Sequence, residues 1–251
     1  MVKKKTVREH RSIHQDYLLF AWLSLRDCSN ARADPITSAY VNRPAIEAIR
    51  YSYDCLDASI NFVFHLGKLK QLPITIRESW LSRFVYRKWE DLSLSDRIGI
   101  LSFAWTKRAF WQTEKQFRLY EDLRKVRNGL THPEPFGREM NYEVLREQGD
   151  RVGFYCEIRR QIGKDRLLKP NRLVDPNKAI ASFNQRPDNL GKKDAEQALE
   201  ILLHHLSRIN DFFLKGRSSW FSIYDKENKR ILSPKLLLET INCRFKRIWG
   251  K

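Results

Sequence analysis

Glycine and proline are both scarce, with 10 and 9 residues in a chain of 251. That excludes collagen-like and low-complexity chains. Only four cysteines occur, Cys28, Cys55, Cys156 and Cys243. No two stand at zinc-ligand spacing, and four do not make a disulfide scaffold, so they read as thiols of a reducing, cytoplasmic protein. No apolar run approaches the roughly 20 residues of a membrane span. Acid is in deficit: 30 Asp and Glu face 47 Lys and Arg, a net charge of +17. What is present is apolar and aromatic content, 42% and 12%, enough to bury a core and to exclude a wholly disordered chain. The cationic surplus points to a polyanionic partner, nucleic acid before an anionic membrane surface.

The N-terminus loosely mimics a secretory leader, with Lys3 to Lys5, an apolar stretch from Tyr17 to Leu25, and Ala31-Arg32-Ala33. Glu9 and Asp16 before that stretch, and Arg26 and Asp27 after it, speak for an amphipathic helix instead. Its apolar side is expected to carry Tyr17, Phe20, Ala21 and Leu25. Residues 43–66 predict a strong helix, with Pro44 in its first turn and Gly67 at its close. Ile46, Ile49, Tyr53, Leu56, Ile60 and Val63 form its apolar stripe. Ser93 with Asp96 predicts a capping box that opens a helix to about Trp105, with Ile98, Leu101 and Trp105 on one face. Residues 114–131 predict a third helix with Phe117, Tyr120, Leu123, Val126 and Leu130 inward. Residues 194–214 predict another, capped by Asp194, with Ala198, Leu199, Leu202, Leu206, Ile209 and Phe213 in its stripe. A last helix is expected over 234–248.

Between them, 138–193 changes character. Residues 151–159 have strand-like content and suit half of a hairpin, and Pro170, Pro176 and Pro187 mark irregular chain. The expected organisation is an N-terminal extension (1–34), a helical domain (35–215) with an insertion at about 138–193, and a basic extension (216–251). The fold class is all-α: a helical bundle with an irregular insertion that has room for a β-hairpin.

One segment carries candidate chemistry. The third helix runs into Arg127-Asn128-Gly129-Leu130-Thr131-His132-Pro133. Pro133 pushes His132 out of the helical region, so the helix must stop at about Thr131. His132 then follows a helix C-terminus, whose negative end favours the imidazolium and keeps the side chain near working pH. Arg124 is three residues before Arg127 and shares its side. A guanidinium fork there suits a phosphate. Gly129 costs roughly 1 kcal/mol relative to alanine in a helix, a cost that close approach of a second backbone would offset. The other arginine–histidine pair of similar spacing, Arg8 and His14, lacks the asparagine and precedes the helical core.

Arg127-Asn128, three residues and His132 resemble the R-N-x-x-x-H signature of the HEPN superfamily of helical ribonucleases. The context resembles it too: the long helix over 43–66, the Ser-Leu-Ser-Asp turn at 93–96, Leu-Arg-Lys-Val-Arg-Asn leading into the motif, and the amphipathic helix over 194–214. The resemblance covers roughly 40–137 and 194–215. It implies a metal-independent endoribonuclease that needs no cofactor and works as a homodimer, with the motifs of two subunits facing one another across a composite cleft. His132 would take the ribose 2′-hydroxyl proton or protonate the leaving oxygen. Arg127 would stabilise the phosphorane-like transition state, and Asn128 would orient the phosphate or the histidine. Arg124 and Lys125 would bind RNA. Products would carry a 2′,3′-cyclic phosphate, and DNA would be refused for want of the 2′-hydroxyl. Such proteins are commonly toxins or effectors of prokaryotic defence, which implies an antitoxin or sensor partner. The sequence departs from one subset of the family, which has tyrosine two residues after the histidine. Glu134 stands there, so control by adenylylation at that position is not expected.

Other features read more plainly. His204-His205 point about 100° apart on a helix and lack a third ligand, so they read as core or surface histidines and not as a metal pair. The aromatics between Trp80 and Trp111 suit a helical core better than base stacking. Asp57 and Asn61 read as a solvated face. The 215–251 tail, with ten basic and three acidic residues, suits RNA phosphates and a solvated face equally. A non-catalytic HEPN-like module that binds RNA or protein, and an adaptor that docks through 138–193, stand beside the enzyme.

Overall fold

The computed structural model describes residues 13–28, 43–68, 88–131, 138–139, 142–149, 154–161, 166–167, 179–184, 190–215, 221–225 and 228–249. Among them the chain is mostly helical, in keeping with an all-α protein. The long helices are α1 (Ile13–Asp27), α2 (Arg43–Lys68), α3 (Leu94–Thr106), α4 (Glu114–Thr131) and α5 (Lys192–Phe213). Two short ones close the chain, α6 (Pro234–Leu238) and α7 (Lys246–Trp249). Three antiparallel strand pairs accompany them: β1 (Arg138–Glu139) with β4 (Arg166–Leu167), β2 (Tyr142–Gly149) with β3 (Phe154–Gln161), and β5 (Ile223–Asp225) with β6 (Arg230–Leu232). The β2–β3 hairpin pairs Glu147 with Cys156 and Gly149 with Phe154, so the strand expected at 151–159 is one arm of it.

Helix α2 is the hub, touching α1, α3, α4 and α5. Its stripe behaves as the periodicity requires: Ile49, Leu56, Ile60 and Val63 are fully buried. The helix does not close at Gly67 but runs one residue further. Its N-terminal half packs with Leu119, Leu123 and Val126 of α4 and with Ala198 and Ile201 of α5. The larger core joins α1, α2, α3 and α5 to Phe221, Ile223 and Leu237 from the tail. On α1 the inward face is His14, Leu18, Ala21 and Leu25, while Phe20 is exposed and lies against Tyr51. His14, set aside above, sits at 4.7 Å from the Phe62 ring and 5.0 Å from Phe221.

Local chemistry sets the helix ends. The Ser93 hydroxyl accepts the Asp96 N–H at 3.2 Å and donates to its carboxylate at 2.6 Å, opening α3 as expected. Ile98 and Leu101 are buried; the side chain of Trp105 lies outside the described residues. Asp194 is not the N-cap of α5 but its third residue. It accepts the N–H of Gly191, the actual cap, at 2.9 Å and that of Asn184 at 2.7 Å. The six residues expected in the α5 stripe are all buried. On α4, Tyr120, Leu123 and Val126 point inward and Leu130 is half-buried. Phe117 is exposed, and Leu119 takes the inward place beside Tyr120.

The expected helix over 234–248 is two short helices with a break. The cause is Glu200 of α5, fully buried, whose carboxylate accepts the N–H of Arg244 at 2.7 Å and of Phe245 at 2.6 Å. Those two donors are withdrawn from any helical ladder. Asp122 of α4 does the same for the segment over 179–184, accepting the N–H of Ile180 at 2.8 Å and of Ala181 at 3.0 Å.

Candidate functional site

Helix α4 runs to Thr131, the last described residue before His132. His132 and Pro133 lie outside the described residues. The Thr131 hydroxyl donates back to the Arg127 carbonyl, one turn earlier, at 2.9 Å.

Arg127 is held from three sides. Its Nη2 donates to Asp54 Oδ1 of α2 at 3.1 Å, and its Nη1 to Asn128 Oδ1 at 3.4 Å. Its guanidinium carbon lies 5.2 Å from the centre of the Tyr53 ring, within range of a cation–π contact. Both side chains of the Arg127–Asp54 pair are 28% exposed, so the pair is reachable. Nε–H is sealed from solvent and has no acceptor among the described residues. A guanidinium offers five N–H donors. The bonds to Asp54 and Asn128 leave one further N–H on each terminal nitrogen, the two-pronged edge that grips a phosphate.

Beneath Arg127, Tyr53 is stacked on Tyr120 at 6.4 Å. Burial pushes both phenols above their ordinary range, so they stay neutral. Arg124 is near but occupied: its Nε and Nη2 bind the two oxygens of Glu121 at 3.0 and 2.8 Å. Lys125 is exposed, with no carboxylate at ion-pair distance among the described residues. Of the five residues expected in the site, Arg127 and Asn128 are thus in contact and Arg124 and Lys125 flank them.

Asp57 and Asn61 do not form a solvated face. Both are half-buried. Asp57 Oδ1 accepts Arg97 Nη1 of α3 at 2.9 Å, and Asn61 Oδ1 accepts Arg97 Nη1 at 3.1 Å and Trp89 Nε1 at 2.9 Å. Burial raises the Asp57 carboxyl above its ordinary range, with Arg97 opposing. Asp54, Asp57 and Asn61 stand at steps of three and four along α2, one polar stripe on an apolar helix. Sequence reasoning missed Asp54. That stripe, opposite two arginine-bearing helices, was the signal.

The remaining candidates are structural. His205 is fully buried among Phe110, Tyr120 and Trp249. Its Nδ1 is 2.7 Å from the Ile201 carbonyl, and burial pushes its pKa down to about 3. His204 instead stacks on Trp249 and has Glu200 Oε1 at 3.5 Å. The two rings have different neighbours, and no group of three or more metal-ligating residues converges among the described residues. Trp89 is buried with Phe64 stacked on it at 3.9 Å, and Phe110 is buried as well. Trp80 lies outside the described residues. No described helix is long and apolar enough to cross a membrane. Compared with family models, curated proteins and solved structures, the chain matches none.

Proposed function

We propose that the protein is an endoribonuclease of the HEPN type, cutting RNA by 2′-hydroxyl attack without a metal ion. The observation that carries the reading is the seat of Arg127. A guanidinium fixed by a carboxylate, an amide and an aromatic ring, one turn before the last described residue of its helix and five before His132, has two N–H groups left for a phosphodiester. His132 supplies the acid–base function and Arg127 the charge stabilisation. Pairing of two chains brings two histidines to one phosphodiester and divides the acid and base roles. Release of such an activity in a cell calls for a restraining antitoxin or sensor, which fits a defence effector.

The test is cleavage of single-stranded RNA in EDTA by the wild type, His132→Ala and Arg127→Ala. Products from the wild type end in a 2′,3′-cyclic phosphate, and both variants are defective. Cutting that needs added metal, or undiminished cutting by His132→Ala, overturns the assignment.

One observation favours the alternative, a non-catalytic module that binds RNA or protein. Both arginines of the motif region already have carboxylate partners, Arg127 with Asp54 and Arg124 with Glu121, as arginines in a purely structural role do. RNA affinity without cleavage, in a protein that sediments as a monomer, selects this reading.

A further inference from the structure

An open groove bordered by described residues lies away from Arg127, between the C-terminal half of α5 and the tail that Glu200 straps to it. It encloses about 730 Å³, within the range of small-molecule sites. Gln112, just before α4, borders it. Glu114 and Arg127 are thirteen residues apart on α4, so the groove and the motif are separated by about 20 Å along that helix.

Three cations border the groove: Arg208 from α5, Lys235 from α6 and Lys246 from α7. None has a carboxylate at ion-pair distance among the described residues. Arg208 is built in. Its Nε donates to the Phe110 carbonyl, and its guanidinium lies 5.4 Å from the Phe110 ring and 5.5 Å from the Phe212 ring. That leaves its terminal nitrogens as a fixed fork. Burial lowers the Arg208 pKa, the sign of a cation that gains from an anionic neighbour. Two carboxylates, Asp211 and Glu239, also border the groove, so cations outnumber anions by one. The remaining lining mixes polar Gln112 and Ser207 with apolar Leu238, Ile241 and Trp249, and the Trp249 ring, stacked on His204 at an interplanar angle of 11°, gives it a flat apolar element.

We propose that this groove binds a phosphomonoester carried on a flat, apolar body. The Arg208 fork takes two phosphate oxygens, Lys235 and Lys246 neutralise the remaining charge, and the body lies against Trp249. A doubly charged phosphomonoester matches three cations facing two rim carboxylates better than a neutral or cationic ligand does. The same chemistry has two sources, a small phosphate ester or the terminal phosphate of an RNA strand. The site does not depend on the ribonuclease assignment, because it shares no residue with the motif.

The test is titration of the full chain, followed by tryptophan fluorescence and calorimetry. The probes are phenyl phosphate, phenol, inorganic phosphate, and a short RNA with and without a 5′-phosphate. Phenyl phosphate binds at least ten-fold more tightly than phenol and more tightly than inorganic phosphate. The double variant Lys235→Glu/Lys246→Glu, both exposed positions, weakens phenyl phosphate at least ten-fold. Arg127→Ala leaves it unchanged, which separates this site from the motif. A ten-fold preference for the 5′-phosphorylated RNA, lost in the double variant, identifies the strand end as the source. Equal binding of both RNAs identifies the small ester. Equal binding of phenyl phosphate and phenol, no binding of phenyl phosphate, or equal binding by wild type and double variant overturns the proposal.

Discussion

Two sets of carboxylates in this protein do different work. Asp122, Asp194 and Glu200 are all but fully buried and bind main-chain N–H groups, fastening the segments over 179–184, 190–191 and 244–245 onto α4 and α5. Asp54 and Asp57 are half-buried and bind arginine side chains. The first set has a fixed partner, since a buried amide has nowhere else to go. The second set holds guanidinium groups, and the two differ: Arg127 on Asp54 keeps further donors and is 28% exposed, whereas Arg97 on Asp57 is 12% exposed and also donates to Asn61 and to the carbonyls of Trp89 and Glu90. Buried carboxylates on amides mark architecture; of the two carboxylate–arginine pairs, Asp54–Arg127 is the one whose cation is the more accessible.

The comparison is sharpest where one group is sealed most completely. His205 has its pKa pushed down from 6.5 to about 3 by burial. The unfolded chain takes up the proton first, so His205 contributes full stability above pH 6.5 and loses it as pH falls towards 3. The full loss is on the order of 5 kcal/mol, and about 3 kcal/mol of it falls above pH 4.5. Chemical denaturation at pH 7, 5.5 and 4.5 measures it, and His205→Gln flattens that slope.

Arg127→Ala should cost about 10²- to 10³-fold in cleavage rate, as loss of one charge-stabilising donor set does, with a shift in unfolding free energy of about 1 kcal/mol at most. An unfolding loss as large as that of a buried carboxylate would place Arg127 among the architectural groups. Glu200→Ala does the reverse: it leaves two buried amides without acceptors and costs about 3 kcal/mol of stability. Cleavage per folded molecule stays unchanged, measured by thermal melts beside initial rates. The smallest effect is expected at Asp54→Asn, which keeps the shape and an acceptor for Arg127. It removes the competing charge, so RNA affinity at low salt rises by a few-fold, and added salt erases the difference.

Much of the scaffold was legible because its signals are local. The α2 and α5 stripes and the Ser93–Asp96 cap each depend on residues a few positions apart. The larger misses have their cause in long-range partners, the smaller ones in local geometry. No local rule breaks the 234–248 helix; the break belongs to Glu200, some forty residues earlier. Phe117 repeats at helical spacing, yet it lies on the outer edge of the stripe and rests on Trp111 at 4.9 Å. Asp194 looks like a cap because Asp often is one, but the glycine immediately before the helix takes that position with Asp194 reaching back. At the motif, Arg127 and Asn128 were singled out by the context around them and its resemblance to a family signature. Asp54 and Tyr53, seventy-odd residues away, became visible only when α2 and α4 came together.

The strap formed by Glu200 has a practical corollary for anyone shortening this chain. A protein that stops before Arg244 would not merely shed a cationic tail. It would strand a negative charge in the interior, uncover the rings that Phe245 and Trp249 now shelter, and open the floor on which α4 rests. Trimming the last few residues would therefore be felt first as poor solubility of the whole particle, long before any change in what it recognises could be tested.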